Sequence, residues 1–158
     1  MSNKDEMLLI PKIELGIVID HIPAGLGPKI LEIIFQYEEM KDVAVTLGLN
    51  YKSQKLGKKD LIKLQMEYLA PEIIQHISIM APGVTVKAVK NYKVHSKVVV
   101  HPPKEIKNLL ECKNPNCITN SEGHVGTLFT AADDDIKQVK CYYCERIFDL
   151  DELDVAVP

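Results

Sequence analysis

The chain has 158 residues, a length that suits one ordinary domain or two small ones. Hydrophobic residues make up 46% and charged residues 26%, a globular composition that excludes a disordered or fibrous chain. No apolar run approaches the roughly 18 residues that would cross a bilayer, and the N-terminus, MSNKDEMLLIPK, lacks the pattern of a signal peptide. We therefore expect a cytoplasmic protein without a membrane partner.

Charge is distributed unevenly, although the net charge is only −3. Residues 41–101 carry ten lysines and four acidic residues, whereas residues 102–158 carry six basic and eleven acidic ones. An excess of positive charge attracts anions by simple Coulomb forces. The middle of the chain is therefore the expected place for an anion-binding site, although most of its lysines are expected to be solvated surface.

The predicted elements begin with a strand and a helix. Residues 14–21, ELGIVIDH, are rich in β-branched side chains and stop shortly before Pro23, as a strand does. Apolar residues then recur at spacings of three and four from Leu26 to Tyr37. Pro28 suits the first turn of a helix, where its missing N–H has no partner to lose. A helix is therefore predicted after the first strand.

Four further elements follow. Strands are predicted over 42–48 and 59–66, a helix over 71–80 with Pro71 at its start, and a strand over 84–94. The order β-α-β-β-α-β is typical of the split βαβ arrangement, in which both helices cover one face of an antiparallel sheet. The predicted fold class is therefore α+β, with a ferredoxin-like sandwich.

The pattern breaks at His101-Pro102-Pro103-Lys104. Two adjacent prolines cannot continue a sheet ladder, and they favour a semi-rigid extended linker. We predict a boundary there between domains spanning 1–101 and 102–158. The second domain is too small to bury a large core, so a small β-rich unit with a covalent or metal staple is expected.

All four cysteines lie in this second segment. Cys112 and Cys117 form a C-x4-C pair, and Cys141 and Cys144 form a C-x2-C pair after a 23-residue insert. Such spacing favours one structural zinc ion per chain, held by four thiolates. Two disulfides or a redox dithiol are the alternatives; the first needs an oxidising compartment and the second leaves one pair unexplained. His124 is expected to be a loop residue outside the site.

The sequence offers no recognisable catalytic machinery. Its five histidines form no H-x-x-x-H pattern, and no phosphate-binding G-x-x-x-x-G-K-[ST] loop is present. A zinc ion closed off by four thiolates has no position for a reactive water. We therefore expect a binding or regulatory protein and not an enzyme.

A candidate anion-binding face combines three stretches. Asp20 and His21 end the first predicted strand, residues 55–63 read KLGKKDLIK, and residues 91–97 read NYKVHSK. If these strands share one sheet, ammonium groups and one imidazole can surround a polyphosphate while Asp20 accepts hydrogen bonds from a ribose. A strand-end pair that only caps a turn is the simpler interpretation of Asp20 and His21 alone.

The runs VIDHIP, GLN followed by GKKDLIK, NYKVHSK and the cysteine cluster with CYYCE resemble the regulatory chain of aspartate carbamoyltransferase. The resemblance covers nearly the whole chain, in order. It implies a nucleotide-binding allosteric domain followed by a zinc domain that docks on the catalytic chain. It also implies regulatory-chain dimers that bridge catalytic trimers in pyrimidine biosynthesis. Inhibition by CTP and antagonism by ATP are implied, with UTP as a further nucleotide.

The resemblance assigns the base and ribose contacts residue by residue. The backbone around Ile13 and Tyr92 would contact the base, and Asp20 and Lys63 would bind the ribose. Pro11-Lys12 departs from the acidic and small residues usual in this family. Because Pro11 has no N–H to donate, discrimination between bases stays open.

The resemblance also assigns the phosphate contacts. His21, Val94 and Lys97 would bind the phosphates, and Lys59 would lie near the outer phosphates or a second nucleotide. Lys87 stands where the family usually has asparagine, which either strengthens phosphate binding or adds repulsion against Lys97. Nucleotide binding would shift the relative placement of the two domains across the proline linker.

Two other functions compete with this interpretation. A zinc-ribbon adaptor for nucleic acid could stack bases on Tyr142-Tyr143, but the acidic C-terminal segment repels phosphate backbones, so no nucleic-acid partner is expected. A small nucleotide-processing enzyme would use His21 as an acid or base, yet no second catalytic group accompanies it.

Overall fold

The computed structural model describes residues 10–37 and 39–156, and two antiparallel sheets organise them. The prediction that the N-terminus is not a signal peptide falls largely on residues 1–9, outside the described residues. Within the described ranges, none of the helices is long and apolar enough to cross a membrane.

The first sheet and its helices form an α+β sandwich. Its elements are β1 (Leu15–Pro23), α1 (Gly27–Tyr37), β2 (Val45–Ser53), β3 (Gly57–Leu64), α2 (Pro71–Met80), β4 (Thr85–Lys90) and β5 (Lys93–Val99). The strand order is β2-β3-β1-β4-β5, and every neighbouring pair is antiparallel. The first four strands and both helices therefore confirm the predicted βαββαβ arrangement.

The prediction of one strand over 84–94 was wrong. The chain turns at Asn91 and Tyr92, whose φ angles are 52° and 65°, and returns as a fifth strand, β5. Two consecutive left-handed residues give the backbone twist that a two-residue hairpin turn requires. The second strand also differs from its prediction over 42–48, because β2 continues past Gly48 through a bulge before Tyr51.

Alternation along the strands separates a core face from an open face. Ile19 and Ile62 are fully buried beneath the helices, where they meet Ile30 of α1 and Ile77 of α2. Burying such a side chain stabilises the fold by about 1.5–3 kcal/mol. The residues that alternate with them point to the other side of the sheet, which none of the helices in residues 10–37 and 39–156 covers, and this side carries the candidate site.

Asp60 of β3 is a buried carboxylate on the helix side of the sheet, with 0% exposure. Its Oδ2 accepts the backbone N–H groups of Gly25 at 2.9 Å and Gly27 at 3.0 Å, and its Oδ1 accepts the N–H of Asn50 at 3.0 Å. A Cβ on Gly27 would lie 2.8 Å from the Asp60 Cβ, so a side chain does not fit there. Asp60 thereby ties the start of α1 to the bulge of β2.

The C-terminal part forms a smaller sheet. Its elements are β6 (Glu105–Lys107), α3 (Ile118–Ser121), β7 (Leu128–Ala131), β8 (Gln138–Cys141), β9 (Ile147–Asp149) and a 3-10 turn over Leu150–Glu152. The strands follow the order β6-β7-β8-β9, around a Phe129 side chain with 0% exposure. Ile79 of α2 joins this second core beside Ile106 and Leu150, so α2 packs into both parts.

Buried His76 is expected to make the stability of the first domain depend on pH. It is 2% exposed on α2, Tyr37 O–H lies 3.2 Å from its Nδ1, and burial lowers its pKa. Because His76 binds a proton more readily in the unfolded chain than in the folded one, protonation favours unfolding. The contribution of neutral His76 to stability is therefore complete above the ordinary histidine pKa of about 6.5 and is lost as the pH falls below it.

We expect the free energy of unfolding to fall more steeply for the parent chain than for His76→Phe between pH 7 and about pH 5. Urea denaturation at several pH values measures the difference between the two chains. Because His21 also has a lowered pKa, only that difference isolates His76. Parallel curves would contradict the prediction.

Candidate functional site

The open face of the first sheet carries a cavity of about 880 Å³. Of the described residues that line it, five are lysines and one is acidic; these are Lys12, Lys52, Lys59, Lys63, Lys87 and Asp20. Apolar and aromatic side chains form the rest of the wall, among them Ile13, Val89, Tyr92 and Val94. A concave site with an apolar wall and a few convergent charges is typical of a small-molecule site, and the charge selects an anion.

Asp20 is the centre of the charged part. Lys59 Nζ lies 2.8 Å from its Oδ1 and Lys87 Nζ lies 3.1 Å from its Oδ2. The backbone N–H of His21 also donates to Oδ1, at 2.7 Å. Burial opposes ionisation of this carboxylate, but the lysines and the His21 N–H outweigh it and lower the pKa of Asp20 to about 2. Asp20 is therefore ionised at neutral pH.

Sheet register places three lysines in one row across the strands. Val18 of β1 pairs with Lys63 on one side and with Lys87 on the other, and Lys87 pairs in turn with Lys97 of β5. Directly opposed side chains share a face, with Cβ atoms about 4.5–5.5 Å apart. The row crosses the open face from β3 to the edge strand.

Six of the eight residues predicted to contact a nucleotide line this one cavity; they are Ile13, Asp20, Lys59, Lys63, Tyr92 and Val94. His21 and Lys97 are not among the lining residues. Lys97 is one strand removed, opposite Lys87. His21 lies next to Asp20 with a φ of 58°, and its Nδ1 is 3.2 Å from Thr85 Oγ1.

The pKa values of two of these side chains are lowered mainly by burial. For His21 the neighbouring lysines add to that effect against the attraction of Asp20, so the imidazole is neutral at neutral pH. For Lys63 burial also lowers the pKa, and Lys63 Nζ donates to the carbonyl oxygen of Pro11. Pro11 thus contributes an acceptor where it has no N–H to offer.

Sequence reasoning missed the part of the wall formed by β2. Leu49, Asn50, Tyr51 and Lys52 all line the cavity because the bulge turns successive side chains toward it. Asn50 has a φ of 62° there. Asparagine tolerates this backbone region better than most residues, which is the one local signal for the bulge.

A second site lies in the C-terminal part, where the four cysteine sulfurs are within 4.8 Å of one another. Cys112 Sγ is 3.7 Å from Cys144 Sγ, and Cys117 Sγ is 3.8 Å from Cys141 Sγ. Tetrahedral zinc with bonds of about 2.3 Å separates its sulfurs by about 3.8 Å. The four cysteines are therefore positioned to hold a metal ion.

Local hydrogen bonds shape the first cysteine turn. Asn114 is 7% exposed, its Oδ1 accepts the N–H of Asn116, and its carbonyl accepts the N–H of Cys117. Asn120 Nδ2 donates to the carbonyls of Cys112 and Asn114, both at 2.7 Å. Hydrogen bonds around the metal ligands help to fix the direction of those ligands. The cysteine spacing alone did not identify Asn114 or Asn120.

The thiols differ in acidity. Burial raises the pKa of Cys112 to about 12. Burial also opposes ionisation of Cys144, but donors that include the backbone N–H of Arg146 lower its pKa to about 7. A positive ion would favour the thiolate form of every ligand.

His124 lies outside the cluster: its side chain is 82% exposed, 3.8 Å from Glu122.

The fold and the cysteine cluster define a class of protein, an α+β chain with a metal-binding C-terminal part. Residues 8–101 match the family described as aspartate carbamoyltransferase regulatory chain, allosteric domain, and residues 104–154 match its metal-binding domain. The chain therefore belongs to the aspartate carbamoyltransferase regulatory chain family, which confirms the resemblance. It is a regulatory and not a catalytic chain.

Similar proteins support this membership over almost the full length. The aspartate carbamoyltransferase regulatory chain of Pyrococcus horikoshii is 41% identical over 146 residues, which are 92% of this chain and 95% of the relative. The regulatory chain of Aliivibrio salmonicida is 40% identical, over 94% of this chain and 94% of its own length. That of Methanopyrus kandleri is 35% identical, over 92% of this chain and 93% of its own length. Membership favours the regulatory interpretation over a nucleic-acid adaptor or a small enzyme.

Proposed function

We propose that this chain binds nucleoside triphosphates in the lysine-lined cavity and thereby controls aspartate carbamoyltransferase in pyrimidine biosynthesis. The observation that carries the proposal is that, among the described residues, five lysines and one carboxylate, Asp20, line the same cavity. An ionised carboxylate accepts hydrogen bonds from ribose hydroxyls, while the ammonium groups neutralise a polyphosphate. CTP and ATP are the first candidates, with UTP as a third.

The contacts proposed within the cavity are those that the family resemblance implies. Ile13 and Tyr92 lie near one another, since the Tyr92 N–H donates to the carbonyl of Glu14 at 3.1 Å, and together they form the base end. Asp20 and Lys63 take the ribose.

The remaining proposed contacts come from β5, β1 and β3. Val94 and Lys97 lie on the edge strand β5, His21 lies beside Asp20, and these three take the phosphates. Lys59 takes the outer phosphates or a second nucleotide. His21 offers a neutral ring in the free protein, and a phosphate would favour its protonated form.

Binding of CTP to the full chain tests the site. We expect Lys63→Met to weaken CTP binding about 10-fold to 100-fold, because the variant keeps the buried stem of the side chain and loses its charge. Lys58→Met is the matched control, since Lys58 is exposed on the same strand and does not line the cavity. Isothermal titration calorimetry measures both. An equal loss in the two variants, or an intact affinity in Lys63→Met, would contradict the assigned site.

For the metal we propose one zinc ion per chain, held by Cys112, Cys117, Cys141 and Cys144. Four soft thiolates with nearly tetrahedral sulfur spacing suit zinc better than a hard cation. The bound ion would cross-link the two cysteine turns, and such thiolates persist in a reducing compartment such as the cytoplasm. Elemental analysis of gently purified, reduced protein measures the stoichiometry.

The catalytic chain of aspartate carbamoyltransferase is the proposed partner, and the metal-binding part is the docking module. Tyr142, Tyr143 and Ile147 are 62%, 43% and 56% exposed beside the cysteines, an arrangement that supports a docking patch. Aromatic anchors of this kind commonly carry interface energy. Phe148, close by in the chain, packs against Phe129 with ring centroids 6.4 Å apart and supports the core instead.

A homodimer of regulatory chains is proposed through β5. In the described part of the chain this strand is an edge of the first sheet, and its Val98 and Val99 are 56% and 44% exposed. Apolar edge strands are templates for pairing with another chain. The mass of the chain in solution, measured by light scattering, tests whether the chain dimerises.

Coupling between the sites is proposed to run between domains 1–101 and 102–158. Pro102 and Pro103 link them, and Ile79 of α2 packs into the second core. The coupling free energy would be about 1–3 kcal/mol, as in other allosteric proteins. Substrate saturation curves of the reconstituted enzyme with and without CTP measure it, and identical curves at saturating bound CTP would remove the regulatory claim.

A further inference from the structure

We propose that Lys87 is an exchangeable counter-ion of Asp20: it occupies the carboxylate in the free protein and moves to the phosphates when a polyphosphate binds, so that Asp20 becomes available to the ribose. This inference rests on the proposed nucleotide site and specifies how that site recognises phosphate and ribose together. It assigns Lys87 a role in specificity.

The free protein already has a partner on each oxygen of Asp20. Oδ1 receives Lys59 at 2.8 Å and the His21 N–H at 2.7 Å, and Oδ2 receives Lys87 at 3.1 Å. Asp20 itself is 8% exposed. A ribose hydroxyl that approaches Oδ2 therefore meets the Lys87 ammonium group first.

Of the two lysines, Lys87 is the one whose departure would free a whole carboxylate oxygen for the ribose. Its contact is the longer, and it is the only described hydrogen-bond donor on Oδ2. Lys59, in contrast, shares Oδ1 with a backbone N–H that stays in place and keeps that oxygen engaged. A lysine ammonium on a flexible stem reorients without a change in the backbone.

The place to which Lys87 would move is set by sheet register. Lys87 is directly opposite Lys97 on β5, the residue proposed to bind phosphate. Like charges directly opposite each other repel, and in the free protein Asp20 offsets that repulsion. A polyphosphate between the two lysines would satisfy both ammonium groups at once and remove the reason for Lys87 to stay on Asp20.

As a consequence, the affinity of the site depends on how many phosphates the ligand carries. A ligand with few phosphates leaves Lys87 on Asp20, so its ribose competes with an ammonium group. A triphosphate draws Lys87 away, and the ribose then meets a free carboxylate oxygen. Affinity therefore rises more steeply with phosphate number than the charge of the other lysines alone would require.

Inorganic tripolyphosphate isolates the exchange because it has no ribose. Its affinity is measured by calorimetry for four full-length chains: the parent, Asp20→Asn, Lys87→Asn and the double variant. Asp20→Asn frees Lys87, so we expect tripolyphosphate to bind about 10-fold more tightly than to the parent. In the Lys87→Asn background the same change at Asp20 should raise affinity less than about 3-fold, because Lys87 is absent and only Lys59 loses its charged partner. Such a cycle isolates the coupling of the two positions.

Simple loss of a negative charge predicts a different result. It gives a similar gain from Asp20→Asn in both backgrounds, and that outcome, or the absence of any gain, would overturn the exchange. Circular dichroism confirms that each variant is folded. Lys90→Asn is the matched control, since Lys90 is exposed on the other face of β4 and should leave tripolyphosphate binding unchanged.

CTP and CMP separate this inference from the proposed function. If the parent binds CTP, Lys87→Asn should weaken CTP about 10-fold and CMP less than about 3-fold. Equal losses for both ligands would overturn the role of Lys87 while leaving the nucleotide site intact. If the parent binds neither CTP nor CMP, the proposed function itself fails.

Discussion

Cys141→Ser is expected to unfold the metal-binding part, residues 104–156, while the five-stranded sheet stays folded. Cys141 ends β8 and is 0% exposed, so the variant removes one of four metal ligands and places a hydroxyl in its position. Structural zinc contributes on the order of 10 kcal/mol to the folding of small zinc modules. The C-terminal core, centred on Phe129, is too small to replace that contribution.

Limited proteolysis with mass spectrometry separates the two parts. Cleavage should concentrate after residue 103 and leave a resistant fragment that contains β1 to β5. Strong chelation of the parent should give the same fragment, and added zinc should restore protection to the parent but not to Cys141→Ser. Equal protease resistance of the variant and the parent would mean that apolar packing alone holds this part together.

Asp60→Ala is expected to destabilise the first sheet by about 3–5 kcal/mol. The change strands the N–H groups of Gly25, Gly27 and Asn50, and an unsatisfied buried polar group costs about 1–3 kcal/mol. The start of α1 and the bulge of β2 lose their common anchor. Because that bulge lines the cavity, nucleotide affinity should fall as well.

Urea denaturation measures the change as a shift of the midpoint at constant slope. Asp60→Asn keeps one acceptor oxygen and should lose less stability than Asp60→Ala. Asp42→Ala, at an exposed aspartate, is the matched control and should change the free energy of unfolding by less than about 0.5 kcal/mol. A loss no larger than this control at Asp60 would refute the anchoring role.

The sequence allowed the order of the first six elements to be predicted because each has a long, clear period. The hairpin after β4 was missed because Asn91-Tyr92 lacks the glycine that usually marks such a turn, and valines continue on both sides of it. The bulge in β2 was missed because its one local signal, Asn50, is weak by itself. The tertiary contact of the Asn50 N–H with Asp60 supports the positive φ angle, and the sequence does not show that contact.

The two sites differed in how far they could be predicted. Cysteine spacing alone brought all four metal ligands together, since each pair is local and few geometries satisfy both. Asp60 was overlooked because an acid among lysines in GKKDLIK suggests a solvated charge pair, and only the three-dimensional contacts reveal its buried N–H partners. Lys87 was recognised as unusual, but its contact with Asp20 depends on the pairing of β1 with β4.

Ile79 links the metal site to the first sheet, so loss of the metal would also affect the surface of that sheet. Helix α2 keeps Ile73 and Ile77 in the first core, while Ile79 is 7% exposed only because the C-terminal core covers it. A newly made chain that has not acquired its ion would leave this apolar side chain exposed on an otherwise folded α+β sandwich. Chaperones and proteases recognise such exposed apolar side chains, so scarcity of the ion would shorten the lifetime of the whole polypeptide in the cell.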